Sequence, residues 1–286
     1  MYLSSKQYKH SNNNIDLISR IGKTLLLAGF VCATLFIASC GANGAYNPTT
    51  YKYYLDKEAL SKTPLKRLIL AEVNASGLPT RSYLRDGSAK MAGMTKSYLK
   101  SNGYTIVPYY HFENAWNKAI LTYGEFYDPT TGRVNQRGWQ QVMASTLEQL
   151  RKRGDIDGVV FADIIEHEIQ HSPSQQHYAR WYGVTRKPST QGTGSGVPVD
   201  FNWTQSIKGA SLVVTVYDIN GKPLFSSRGG LETLQAVDLR NSNGGFVRRK
   251  SLLKNTSQME EGMEIAFHPF IPMKKYPGRP EQKKAK

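Results

Sequence analysis

The chain has 286 residues, with 37 lysines and arginines against 22 aspartates and glutamates, a formal charge of +15. A charge of that sign and size points to acidic partners: lipid head groups, anionic envelope polymers or nucleic acid. Its two cysteines, Cys32 and Cys40, both fall near the amino terminus, which excludes a disulfide framework, a catalytic thiol or a cysteine metal site in everything that follows.

Residues 1 to 23 carry Lys6, Lys9, Arg20 and Lys23 against one acid, Asp16, and residues 24 to 39 are nearly free of polar side chains. A basic stretch followed by a short apolar one predicts a signal peptide over residues 1–39. As a helix those sixteen apolar residues rise about 24 Å, short of the roughly 30 Å hydrocarbon core that a spanning helix crosses. The alternative is an uncleaved signal anchor, and both readings put residue 41 onward outside the cytoplasm. The segment closes on Ile37-Ala38-Ser39-Cys40, which resembles the lipobox of bacterial lipoprotein precursors. The resemblance implies that Cys40 is acylated and becomes the first residue of a membrane-anchored protein. With Gly41 rather than an aspartate after it, the implied destination is the outer membrane, with the domain in the periplasm. Several acyl chains hold firmly where one binds only reversibly. Loss of residues 1–39 removes four bases and one acid and leaves a formal charge of +12. A lipoprotein address, with no recognisable nucleic-acid module, argues against nucleic acid as the acidic partner.

Residues 40–64, rich in Asn, Thr, Tyr and Lys with Pro48 and Pro64, read as a flexible tether holding at most one short helical turn. Residues 65–272 have the length of one domain with a real core. Arg67–Val73 is a continuous apolar run of strand length. Asp86 is placed to cap a helix carrying Met91, Met94 and Tyr98 and stopped by Gly103. Tyr104–Tyr109 reads as a second strand, and Phe112, Ala115, Trp116, Ala119 and Ile120 share a helical face. A turn at Asp128–Gly132 leads to a helix with Trp139, Val142, Met143, Leu147 and Leu150 inward, ending at Gly154. Val159–Ile165 reads as a third strand.

Residues 172–206 show no sustained period and predict a long loop or irregular hairpin extension. Ser211–Ile219 is the clearest strand, and Asn220-Gly221 predicts a tight hairpin turn with positive φ at both positions, returning through Leu224–Leu231. Leu252, Leu253, Thr256, Met259, Met263, Ala266 and Phe267 recur at helical spacing. Residues 273–286, with six bases among prolines, predict a mobile basic tail. The fold class is therefore α/β: a mixed sheet with helices packed on it in two or three layers, a late β-hairpin and a C-terminal helix.

That order, with Asp157-Gly-Val-Val and Tyr217-Asp-Ile-Asn-Gly-Lys222, resembles the α/β domain of the TolB amino-terminal domain and of lipoproteins related to the curli-secretion lipoprotein. The resemblance spans about residues 65 to 268 and implies a non-enzymatic scaffold that binds an envelope protein partner or forms a homo-oligomer. It brings no catalytic residues and no cofactor. Within the extension, Tyr178, Arg180, Trp181, Tyr182, Phe201 and Trp203 are the candidate partner-binding residues, since buried aromatic and arginine side chains dominate interface energetics. The same rings also suit packing of the loop onto its own domain.

A different class is raised by His167-Glu168-Ile-Gln-His171, which matches the H-E-x-x-H zinc-peptidase signature, with His177 where the extended pattern has its third histidine. On a helix these would be the zinc ligands, and Glu168 the general base. Residues four apart stand about 6 Å apart along a helix and about 13 Å apart along a strand. Zinc binding therefore turns on whether 159–171 is helical. Val159, Val160 and Phe161 after the Asp157-Gly158 turn favour a strand, and Pro173 biases Ser172 out of helical geometry.

Overall fold

The computed structural model describes residues 50–72, 82–127, 134–172, 175–194, 196–240 and 244–278. Cys40 and the signal segment, the turn expected at Asp128–Gly132 and the basic residues from Arg279 onward lie outside them. In chain order the elements are β1 (Tyr54–Leu55), α1 (Lys57–Lys62), β2 (Arg67–Ala71), α2 (Arg85–Ser101), β3 (Thr105–Val107), α3 (Tyr110–Tyr123), α4 (Gln136–Arg151), β4 (Gly158–Ile169), β5 (His171–Ser172), β6 (Gln175–Trp181), β7 (Val184–Arg186), β8 (Thr190–Gln191), β9 (Ile207–Asp218), β10 (Pro223–Thr233), β11 (Gln235–Asp238), β12 (Phe246–Arg248) and α5 (Thr256–Phe267).

The main sheet runs β1-β10-β9-β4-β2-β3. β2 is parallel to β3 and β4, while β4, β9, β10 and β1 pair antiparallel in succession, so the sheet is mixed. Alternation along each central strand sends side chains to two cores. Leu68, Leu70, Val160, Ile164, Leu212 and Val214 meet Met91 and Leu99 of α2 and Met259, Met263 and Phe267 of α5 on one face. Ile69, Ala71, Val159 and Phe161 meet Phe112 and Trp116 of α3 and Val142, Met143 and Leu147 of α4 on the other. The domain is thus a three-layer α/β/α sandwich. Each fully buried Leu, Val or Phe contributes about 1.5–3 kcal/mol relative to exposure, which explains the near-continuous apolar runs in β2 and β4.

The two motifs behind the family resemblance build turns. Asp157 accepts hydrogen bonds from the Lys66 and Arg67 amides and pairs with the Arg67 guanidinium at 2.7 Å, tying the start of β4 to the start of β2. Burial pushes its carboxyl up, but the Arg67 side chain and those amides outweigh burial and hold it below its ordinary value. Asp218 Oδ1 accepts from the Asn220 and Lys222 amides. The β9–β10 turn departs from the expected two-residue form. Gly221 has φ of 85°, Asn220 does not join it at positive φ, and the Gly221 amide donates to the Asp218 carbonyl. This is a three-residue loop whose last position alone is left-handed, the form that closes on a bulge.

Five further expectations need correction. Residues 50–64 are not wholly a tether: Tyr54 and Leu55 pair with Ser226 and Phe225 at the sheet edge, and Asp56 caps α1 through the Ala59 amide. Asp86 is not the cap of α2, because a 3-10 turn at Ser82–Leu84 already winds the chain and leaves Asp86 inside the first turn. The strand at 104–109 shortens to Thr105–Val107, and Tyr109 becomes the entry to α3. Leu252 and Leu253 precede α5, whose cap is Asn255, and Leu253 has φ of 53°. Within the segment read as a mobile tail, Met273 and Tyr276 pack against a third apolar cluster.

Candidate functional site

β4 and β9 stay paired over twelve residues each, from Gly158 opposite Asp218 to Ile169 opposite Ile207. Their far halves run beyond helices α3 and α4, and the extension 171–206 covers them. It folds as a β6–β7 hairpin, with Trp181 opposite Val184 and the turn at Tyr182-Gly183. Where a long loop or irregular hairpin extension was expected over residues 172–206, the described residues include the short strands β6, β7 and β8. Tyr182 and Gly183 both have positive φ, 36° and 84°. For a tyrosine that geometry costs roughly 1–2 kcal/mol, so the surrounding contacts must impose it.

Those contacts form a half-buried aromatic and basic cluster. The Arg228 guanidinium donates to the Tyr182 hydroxyl at 3.0 Å and lies over the rings of Tyr51 and Tyr182, 4.8 and 5.5 Å from their centroids. His167 packs against Tyr182 at 5.1 Å between centroids. Behind it Ser211, fully buried, receives the Trp181 indole N–H at 3.0 Å and stands 2.7 Å from His167 Nε2. Burial lowers the His167 pKa, so the ring is neutral at pH 7. With Nδ1–H donating to the Glu168 carbonyl at 3.2 Å, Nε2 accepts the Ser211 hydroxyl proton.

A second cluster closes the end of the extension. His171 stacks on Phe246 at 5.5 Å and meets the edge of Trp203 at 5.4 Å, while His177 and Phe201 each approach Trp203 at 4.6 Å. His171 is buried. Its Nδ1 lies 3.3 Å from the Gln205 carbonyl, its Nε2 has no hydrogen-bond partner among the described residues, and burial lowers its pKa. Tyr178 is exposed at this end.

The six candidate partner-binding residues therefore divide. Trp181 and Phe201 are buried in the domain, 4% and 5% exposed, and serve packing. Tyr182 and Trp203 are half-buried members of the two clusters, Arg180 is half-buried, and Tyr178 is open to solvent. Arg186, interleaved with them in sequence, is also internal: it donates to the Leu231 carbonyl at 2.8 Å and pairs with Glu261 of α5 at 2.8 Å. The Gly229-Gly230 pair in β10 had no part in the sequence reading. A Cβ on Gly229 would collide with the Gly262 carbonyl of α5, and one on Gly230 would stand 2.8 Å from the Trp181 indole nitrogen. Paired glycines inside a strand were the available signal of such close approach.

The zinc-signature residues occupy extended backbone. His167 and Glu168 are neighbours on β4 and leave opposite faces of the sheet, His167 toward Tyr182 and Ser211, Glu168 toward an ion pair with Lys208 at 3.0 Å. His171 belongs to β5 and His177 to β6. Among the described residues no three His, Cys, Asp or Glu side chains come together as a metal-holding group. Another concavity, about 270 Å³, opens between the carboxyl end of β2, the middle of β4 and the start of α2, lined by Glu72, Arg85, Ser88 and Asp163 among others. Glu72 in it is paired with Lys96.

Comparison with known proteins gives little by name. No family model matches the chain, and no curated protein matches it. Among solved structures it is similar to the lipoprotein GNA1162 of Neisseria meningitidis, with 15% identity and a TM-score of 0.30 over 62% of this chain and 87% of that one. A likeness at that level carries no argument about function. Among the described residues no helix is long and apolar enough to cross a membrane.

Proposed function

We propose that the protein is a membrane-tethered envelope lipoprotein whose α/β domain serves as a scaffold, binding a protein partner through the exposed end of its hairpin extension. The observation that carries the tether is the sequence Ile37-Ala-Ser-Cys40 closing a short apolar segment after a basic one. For the partner surface, the support is the rim around Tyr178, His177 and the half-buried Trp203, where rings and polar groups face solvent together. Tyrosine and tryptophan supply large contact area at small entropic cost. The zinc-peptidase alternative has no geometry in its favour, because its signature lies on strands.

Labelling cells with an alkyne fatty acid tests the anchor. Label is expected on the wild-type protein and lost, together with membrane association, in Cys40→Ala; label persisting in the variant overturns the assignment. In the same cells, a photo-crosslinking residue at position 178 is expected to capture an envelope protein or a second copy of the chain. The same residue at position 121, where Leu121 is 88% exposed on α3, is expected to capture neither. Equal capture at both positions removes the extension from consideration.

A further inference from the structure

Residues 239 to 259 contain five bases and no acid. The fold divides the Arg248-Arg249-Lys250 triplet within them. Arg249 turns inward, pairing with buried Glu232 at 3.1 Å and donating to the Thr233 carbonyl at 2.7 Å. Arg248 and Lys250 are exposed, and in the extended chain they share the side opposite Arg249, about 7 Å apart. Gln191 fixes them there: its side-chain amide donates to the Arg248 carbonyl at 3.2 Å and accepts the Lys250 amide at 3.0 Å. The Arg248 guanidinium lies 4.1 Å from the centre of the Tyr83 ring, which brings exposed Arg85 to the same ridge. Exposed Lys254 completes it, its carbonyl held by the Lys90 ammonium at 3.2 Å.

Ion pairing within the domain does not account for these cations. Among the described residues Arg85, Arg248, Lys250 and Lys254 have no ion pair, since Arg240 takes Asp238 and Arg249 takes Glu232. The acid beside them is Asp86, in the first turn of α2. Lys254 and Lys90 also stand at the start of α5, where a helix favours acids, and that first turn has none. Like charges gathered without partners repel one another, a cost that an anionic ligand removes. The exposed residues from 248 to 257 are Arg, Lys, Ser, Lys, Asn, Thr and Ser, with no apolar side chain among them. The core of a protein interface has the opposite composition, rich in aromatic residues and poor in lysine. A hydrophilic polyanion fits the ridge better.

We propose that the ridge of Arg85, Arg248, Lys250 and Lys254 binds an anionic polysaccharide, holding carboxylate or phosphate groups carried on successive sugars. The guanidinium fork and the ammonium groups suit both anions, and the hydroxyls of Ser251 and Ser257 match the sugar hydroxyls between them. Separated charges on an open ridge select a repeating polymer over one small anion, because each exposed contact is weak and only several together hold. The choice of a glycan over nucleic acid rests on the envelope reading of the amino terminus; the site itself does not. β12 links this ridge to the aromatic rim, since Phe246 stacks on His171 at one end of it and Arg248 opens the ridge at the other. A scaffold so built holds its protein partner beside the polymer.

The test titrates the full protein, solubilised in neutral detergent, into a fluorescein-labelled oligomer of uronic acid and follows anisotropy. Saturable binding is expected, weakening as salt rises, with neutral dextran and inorganic phosphate failing to compete at matched concentration. Arg248→Gln with Lys250→Gln and Lys254→Gln is expected to weaken binding about tenfold. The charge-matched set Lys66→Gln, Lys100→Gln and Lys118→Gln, exposed elsewhere, is expected to weaken it at most about twofold. Lys250→Glu with Lys254→Glu spares the Arg248 contact on Tyr83 and is expected to abolish binding by itself, with the urea midpoint unchanged. Equal weakening by the two sets of three overturns the proposal, as does full competition by inorganic phosphate or tighter ridge-dependent binding of phosphatidylglycerol vesicles. Tighter ridge-dependent binding of a DNA duplex at equal charge overturns the choice of glycan. An unacylated Cys40 would sink the envelope reading separately, and the titration then still decides the site.

Discussion

Glu232 is a carboxylate that the fold encloses almost completely, at 2% exposure. It pairs with Arg249 at 3.1 Å and accepts the Leu253 amide, which holds Leu253 in its left-handed conformation over Gly87 at the start of α2. Removing one partner of a buried pair leaves the other uncompensated, so Glu232→Ala is expected to cost about 3 kcal/mol in urea unfolding. His167 and His171 give a pH dependence of definite sign. Burial lowers both pKa values below 6.5, so the unfolded chain binds more protons just below neutrality. Stability is fully present above about pH 6.5 and is lost as pH falls through the folded pKa values. Unfolding free energies from urea titrations run from pH 7.5 downward should decline by at most about 1.4 kcal/mol per pH unit for each histidine, and the slope should flatten in His167→Gln, His171→Gln. An unchanged slope in the double variant would assign the loss to other groups. None of this was legible in the sequence, where the two histidines read as candidate zinc ligands. Their burial comes from the hairpin laid over β4, a contact between segments with no periodicity to announce it.

Elements followed the sequence where one physical signal dominated. Phe112, Ala115, Trp116 and Ala119 repeat at helical spacing and are all buried in α3, and the valine-rich run of β9 is a strand. Boundaries slipped where two signals competed: the 3-10 turn before α2 displaced Asp86 as cap, and the periodicity of Leu252 and Leu253 continued past the cap at Asn255. The extension 171–206 was the least legible element. Three of its four strands are only two or three residues long, too short for alternation to register, and Tyr182 is not a residue that signals a turn with positive φ. Its position in the fold yields a contrast between neighbours three residues apart. Trp181 fills the third core with Ile169, Val184, Ile207 and Ile265, so Trp181→Ala is expected to cost about 3–5 kcal/mol. Tyr178→Ala, at an exposed position, should stay within about 0.5 kcal/mol while reducing partner cross-linking. Thermal denaturation of the two variants side by side checks this, and similar losses would mean that Tyr178 also belongs to the core.

At the scale of the whole molecule, the α/β class and the order of the central elements could be read from the run lengths, while the six-stranded order could not. It depends on β1, whose two residues carry no strand signal of their own yet close the sheet edge against Ser226 and Phe225. That edge also has a mechanical meaning. If the domain hangs from Cys40, any pull by a partner on its far side is transmitted first to Tyr51, β1 and α1, and only then to the sandwich. The joint consists of one two-residue strand pair, a ring packed on Arg228 and a six-residue helix without a fully buried side chain, whereas β4 and β9 share twelve paired residues. Under load the joint should open before the domain does, releasing residues 51 to 64 and about 45 Å of slack. In an optical trap this would be a small first extension at low force, reversible and shifted to lower force by Arg228→Ala, ahead of a single larger rip. The short edge strand would then act as a fuse, letting the tether lengthen while the partner-binding end keeps its shape.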